Sequence, residues 1–477
     1  MPSSFHVENF GCRAARADGE SIASLLRSSG AAESLPAEAD VVIVNTCSVT
    51  AEADREARAY IRRAHRRNPA ARIVATGCYA QRAPEELAAL PGVAAVIGNS
   101  HKALAPGIAL GLMEAPYQNR LIQIQSAPTA AAAPSILADD TFAHSFLEEA
   151  PIAPGSQTRP NLKIQEGCSN RCSFCVIPQT RGNSRSLAAA SILAHIRGFV
   201  AAGGNELVLS GINLGRWGRD LGSSQIHTLA GLVSAICECT NLPRLRLSSI
   251  EPMDWDCELI AVMRDFAGTR LARHVHLPLQ SGSDSVLRRM HRRYRPWHYA
   301  EKVAELFRAA GPALTLGADA MVGFPGETDR EFQESYDFIR SLPFGYLHLF
   351  PFSPRPGTRA WNLHTQSPVP AHVADERMAA LRALAAEKTR AHRAQFLGAE
   401  LEAITLRTPS ELADAGRTSA LTDNFLPVEV AATVPANRLI RIQVAGISPQ
   451  GALLARTPQI FQPHADPAFE PRAENAL

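Results

Sequence analysis

Residues 161–185 read NLKIQEGCSNRCSFCVIPQTRGNSR, and their reading decides the fold. Residues 162–164 alternate as a strand does, and the run stops at Gly167. The strand empties into a loop carrying Cys168, Cys172 and Cys175, a Cys-x3-Cys-x2-Cys spacing. Three thiolates within eight residues make a soft-ligand cage of the kind that selects an iron–sulfur cluster over a hard cation. A four-iron cube held by three protein ligands keeps one iron open to a small molecule. A structural zinc site wants four ligands, and no second Cys pair of that spacing lies nearby. A disulfide framework belongs to small secreted chains.

At 477 residues, with 46% hydrophobic and 20% charged residues, the chain has core material for two to four domains. No apolar run approaches the ~20 residues of a membrane helix, and the start MPSSFHVENFGC lacks a secretory pattern. A cytoplasmic, reducing setting without a membrane partner is expected, and nine cysteines there point to metal ligation. The net charge of +2 leaves nucleic-acid binding to local basic patches.

Upstream, residues 1–112 alternate short apolar runs with helical patterns, which predicts a parallel sheet with crossover helices. Strands at 5–10, 41–44 and 72–75 lead into Cys12, Cys47 and Cys78. Ligands of an open α/β sheet bind beyond the carboxyl ends of its strands, so three thiols converge on one rim. Any one of them alone would read as a buried small hydrophobe. Three at equivalent positions favour a second cluster. Between the second and third strands, Arg55, Arg58, Arg62 and Arg66 share one helix face, with Arg63 and Arg67 beside them; the stripe suits either solvent or phosphates. Residues 113–158, Ala- and Pro-rich, read as a linker.

From 159 to 392 the alternation resumes with six strands, the pattern of a partial (β/α)6 barrel. Polar residues at its strand ends, Ser210, Asn213, Ser249, Glu251, Gln280 and Asp319, are candidates to line a cofactor site; taken singly, each also suits a turn or helix cap. Arg288, Arg289, Arg292, Arg293 and Arg295, with Tyr294 and Trp297, form a second basic patch, suited to RNA or to solvent. Cys237, Cys239 and Cys257 fit no ligand spacing, and His276 and His348 read as core histidines. Residues 393–460 turn to short β patterns, a small β-barrel; 461–477 form a Pro- and Ala-rich tail.

The motif GCSNRCSFCVIPQTRGNSRS resembles the radical S-adenosylmethionine enzymes, in particular their methylthiotransferases. NTCSVT and TGCYAQ resemble the motifs of that family's N-terminal domain, though GCRAARADGES lacks the Asn usual after the first Cys. The resemblance implies two 4Fe-4S clusters, one on Cys168, Cys172 and Cys175 and an auxiliary one on Cys12, Cys47 and Cys78, with S-adenosylmethionine as cofactor. GGNE at residues 203–206 is similar to the glycine segment that meets the cofactor's methionine moiety. GINLGRWGRDL, RLRLSSIEP, HLPLQSGSDSVLRRMHRRY, GFPGETDREF and HLFPFSPRPGTRA look like the subgroup acting on N6-threonylcarbamoyladenosine beside the tRNA anticodon. That subgroup methylthiolates C2 of the adenine. The implied partners are a tRNA anticodon stem-loop, a sulfur donor and a flavodoxin- or ferredoxin-like electron donor. Relatives that modify isopentenyladenosine or a ribosomal-protein aspartate, and an RNA-binding radical enzyme with a single cluster, are the alternatives. The C-terminal segment is similar to a TRAM domain.

Overall fold

The computed structural model describes residues 3–119, 134–146, 158–222, 226–456 and 458–461. It contains two compact units. The first comprises Met1–Ile152, Glu166–Arg185 and Ser353–Thr358. The second comprises Ala153–Gln165, Ser186–Phe352 and Arg359–Leu477. The cysteine loop, grouped by sequence order with 159–392, thus belongs to the N-terminal unit.

The first unit is built on a parallel sheet of β1 (Ser4–Asn9), β2 (Ala32–Glu33), β3 (Val41–Thr46), β4 (Arg72–Gly77), β5 (Val93–Gly98) and β6 (Ser135–Leu137), in the order β2-β1-β3-β4-β5-β6. Strand β3 is buried on both faces, which is why VVIV runs without alternation. One face packs Ala57, Ile61 and Ala64 of helix α2 (Ala51–Arg67); the other packs Ile22 and Leu26 of helix α1 (Arg13–Ser28). β6 lies in the stretch read as a linker, and its parallel pairing with β5 gives residues 135–137 a place in the sheet.

The second unit holds β7 (Asn161–Glu166), whose last residue passes to the first unit, β8 (Arg185–Ser186), whose first residue does so too, and β9 (Glu206–Gly211), β10 (Arg244–Leu247), β11 (His274–His276), β12 (Thr315–Val322) and β13 (Phe344–Pro351). Six strands run parallel as β7-β9-β10 and β11-β12-β13, with β8 beside β7. A Leu245–Leu271 bridge and a 3.2 Å bond from Ile250 N–H to the His276 carbonyl span the seam, so the partial barrel is present but not continuous.

β14 (Glu400–Thr405), β15 (Thr418–Thr422), β16 (Pro427–Val430), β17 (Leu439–Ile447) and β18 (Leu453–Ala455) close into a five-stranded barrel through the β14–β17 pairing, with β19 (Gln459–Ile460) added beside β17. This barrel docks on the amino ends of the parallel strands. Arg273 pairs with Asp423 at 2.6 Å, Arg246 donates to the Thr422 carbonyl at 3.1 Å, and the Phe425 ring lies 4.3 Å from His274. Most of the predicted tail, and most of the segment 113–158, lies outside the described residues.

Candidate functional site

All six cysteines of the two predicted sets lie in the first unit. Cys12 caps α1 three residues after β1; Cys47 follows β3 directly; Cys78 follows β4 and opens helix α3 (Cys78–Arg82). The carboxyl ends of three parallel strands thus present one thiol each. Cys47 and Cys78 are buried and Cys12 is exposed. Gly11 makes room for this: at φ +102, a Cβ there would stand 2.7 Å from the Cys47 sulfur. Burial, reinforced by Cys78 and Cys12, pushes the Cys47 thiol up to about 12.

Hydrogen-bond donors meet these sulfurs. Arg181 Nε lies 3.2 Å and Asn99 Nδ2 3.4 Å from Cys78 Sγ, and the Val49 N–H lies 3.4 Å from Cys47 Sγ. Arg181 is completely buried. Its guanidinium reaches Glu166 at 2.6 Å and Asp18 at 3.3 Å, while Lys102, also fully buried, pairs with the same Asp18 oxygen. Burial disfavours the charge, yet Cys78, Glu166 and Asp18 hold Arg181 protonated well above its usual range. Two cations and two carboxylates balance, leaving the guanidinium Nε–H for sulfur.

The second cysteine set sits on a turn closed by Cys168 N–H to the Gly182 carbonyl at 2.9 Å and by Cys175 N–H to Cys172 at 3.2 Å. Its three thiols are half-buried, and Asn170 N–H points at Cys168 Sγ at 3.4 Å. Gly167 at φ +69 is required, because a Cβ there would run into the Asn183 carbonyl. The helix Ile177–Arg181 then carries Arg181 back to Cys78, and Asn99 also holds the Thr180 carbonyl at 2.9 Å.

In the second unit the candidates divide. Ser210 is buried with its Oγ 3.4 Å from the Leu162 carbonyl, and the Asn213 N–H binds Gln165 Oε1 at 2.6 Å. Ser249 Oγ lies 2.6 Å from His276 Nδ1, whose Nε2 is 3.3 Å from Asp319. Gln280 takes φ +66, and its N–H donates to the Asp319 carbonyl at 2.8 Å. Glu251 is ion-paired to buried Arg292.

Two expectations change. Residues 203–206 precede β9 and so lie at its amino end, where Asn205 bonds the Asn437 carbonyl at 2.9 Å and Glu206 pairs with Arg246 at 2.9 Å. GGNE ties the barrel to the C-terminal strands rather than meeting a cofactor on the carboxyl rim. The patch at 288–297 is largely neutralised: Arg288 pairs with Asp284, Arg289 with Glu331 and Arg292 with Glu251, and Tyr294 is buried under the Pro278 and Leu279 carbonyls. In the helical stripe, Arg58 is bound to the Tyr79 hydroxyl at 2.6 Å, Arg55 to Glu52 at 2.6 Å, and Arg63 lies over the Tyr60 ring at 5.6 Å.

Residues 4–98 match the family described as Uncharacterized protein family UPF0004, and residues 162–339 match the Radical SAM superfamily. The chain is 35% identical over 427 residues to the threonylcarbamoyladenosine tRNA methylthiotransferase MtaB of Bacillus subtilis, covering 89% of each. It is 33% identical to the protein of the same name in Aquifex aeolicus, covering 85% of this chain and 91% of that one. The chain belongs to the radical S-adenosylmethionine methylthiotransferase family.

The fold agrees with a solved radical S-adenosylmethionine methyltransferase, TsrM from Kitasatospora setae, at a TM-score of 0.50 and 15% identity over 76% of this chain and 77% of that one. Family membership brings S-adenosylmethionine and two four-iron clusters as cofactors. The cysteine sites fit such groups: sulfurs beyond strand ends, N–H donors aimed at them, and a buried guanidinium beside Cys78. Among the described residues no helix is long and apolar enough to cross a membrane.

Proposed function

We propose that the chain methylthiolates C2 of N6-threonylcarbamoyladenosine next to the anticodon of tRNA. The observation that carries this is the similarity over 89% of the chain to a relative named for that substrate, joined to six cysteines placed in two three-thiol sets. Cys168, Cys172 and Cys175 hold the cluster with the open iron; Cys12, Cys47 and Cys78 hold the second. When bound, these groups and S-adenosylmethionine supply one-electron reductive cleavage and sulfur insertion.

The chain's own residues do the rest. Arg181 and Asn99 donate hydrogen bonds to the Cys78 sulfur and orient it. Gly11 spares the space beside Cys47. Ser210, Asn213, Ser249, Glu251, Gln280 and Asp319, at or near strand ends of the partial barrel, face the cofactor and substrate. An unpaired anticodon-loop base needs the least work to leave its stack and enter such a site. The electron donor is a flavodoxin- or ferredoxin-like protein, and the enzyme works in the cytoplasm with its tRNA. In this reading residues 1–112, 159–392 and 393–460 are the cluster, radical and TRAM-like domains, with a linker at 113–158 and a tail at 461–477.

Mass spectrometry of tRNA from cells lacking the protein tests the substrate. Loss of 2-methylthio-N6-threonylcarbamoyladenosine supports the assignment, and an unchanged level overturns it. Anaerobic reconstitution tests the clusters: about eight irons per chain are expected, whereas about four would favour a single-cluster enzyme. Reductive cleavage of S-adenosylmethionine is expected to vanish in Cys172→Ala.

A further inference from the structure

The face of the β11–β12–β13 sheet carries a second donor set that needs none of the cysteines. Register pairs Asp319 with His348 and places His276 opposite Gly317, two residues before Asp319. Side chains two apart on a strand share a face, so all three project from the same side. His276 Nε2 and His348 Nδ1 each lie 3.3 Å from Asp319 Oδ1, and the three donor atoms lie within 4.8 Å of one another.

His276 is buried, with 6% of its surface exposed, and its Nε2 faces Asp319 Oδ1 at 3.3 Å. Ser249 Oγ stands 2.6 Å from the other ring nitrogen. With a metal bound, Nδ1–H given to that hydroxyl would leave the Nε2 lone pair for the metal, the form in which imidazole ligates. The rings are also held by packing: Tyr346 lies 5.9 Å from His276 and 5.2 Å from His348, and the two imidazoles are 5.3 Å apart.

Metal–nitrogen and metal–oxygen bonds of about 2.0–2.2 Å place neighbouring ligands roughly 3–3.5 Å apart. The 3.3 Å separations already present therefore admit a cation with little movement. A simple polar trio is the competing account. It holds both imidazoles 3.3 Å from Asp319 Oδ1, and the metal count below separates the two accounts.

We propose that His276, Asp319 and His348 form a binding site for a divalent cation of the zinc class, with Ser249 as the positioning residue that orients His276. Two imidazoles and one carboxylate leave coordination positions open, and the exposed side of His348 provides the approach. Asp319 supplies the carboxylate ligand, set between the two imidazoles. None of its residues is a cluster ligand, although Ser249 and Asp319 also face the cofactor and substrate in the reading above.

The test uses the full chain, reconstituted anaerobically with iron, incubated with Zn2+ and desalted. Zinc and iron are then counted together. The wild type is expected to retain roughly one zinc per chain that His348→Ala and Asp319→Asn lose at unchanged iron. Ser249→Ala is expected to weaken zinc binding by about tenfold or more. His348 is exposed, so its variant tests the site even where His276→Ala fails to fold. Zinc retained equally by wild type, His348→Ala and Asp319→Asn, or zinc bound by none of them, overturns the proposal.

Discussion

Arg181→Met removes the one guanidinium that joins Glu166, Asp18 and the Cys78 sulfur. Lys102 then faces two buried carboxylates alone, and the unit carries an uncompensated negative charge where no water reaches. Breaking a buried pair by deleting one partner costs about 3–5 kcal/mol. In a unit of this size each kcal/mol moves the midpoint by roughly 2–4 °C, so a loss of about 6–20 °C is expected. A chain of two units does not unfold in one step, so the reading must be local. Amide exchange at residues 41–46 and 72–77, the strands leading to Cys47 and Cys78, supplies it. The double variant Glu166→Gln/Arg181→Met should recover part of the loss, by about 1.5–3 kcal/mol, because one orphaned charge is gone. An Arg181→Met chain within about 2 °C of wild type, or a double variant as unstable as the sum of its singles, would refute the charge-balance argument.

Three further outcomes follow from the geometry. Cys47 rises from 9.0 to about 12 on folding, so the metal-free unit is fully stable below about pH 9 and loses stability as pH climbs toward 12, by up to about 4 kcal/mol; thermal melts should show the slope, and Cys47→Ala should flatten it. His392, buried against Thr315 Oγ1 at 2.8 Å, falls from 6.5 to about 4. Its contribution is present above pH 6.5 and is lost as pH drops toward 4, by about 3 kcal/mol, a dependence His392→Gln should abolish in acid-unfolding curves. Gly317→Ala would drive a Cβ into the Tyr346 ring and should destabilise the second unit by about 1–3 kcal/mol, with Tyr346→Ala restoring part of it in thermal melts.

The strands and the six cysteines were readable because both are local signals: apolar runs of strand length, and a Cys placed just beyond each. What sequence order concealed was partnership over long separations. Asp18 and Arg181 stand 163 residues apart, and each reads alone as a surface charge. The basic run at 288–295 suited phosphates as well as solvent because its neutralisers, Glu331 and Glu251, lie elsewhere in the chain. GGNE was misplaced for a simpler reason. Residues before a strand lie at its amino end, and that rule, applied to β9, would have set them on the far rim. The trio on β11–β13 was hidden differently: period two shows that His276 and His348 face one side of their strands, but only register brings them to Asp319.

The first unit is not one continuous stretch of chain. Cys78 awaits Arg181, which lies 103 residues downstream, and Asp54 awaits Arg355 at 2.6 Å. At about 5–20 residues per second, synthesis delivers Arg181 roughly 5–20 s after Cys78. The N-terminal sheet therefore emerges from the ribosome with its thiols gathered before the guanidinium that steadies them exists. Metal delivery during that interval would meet an unfinished site, so the timing of translation bears on cluster maturation as directly as the fold does.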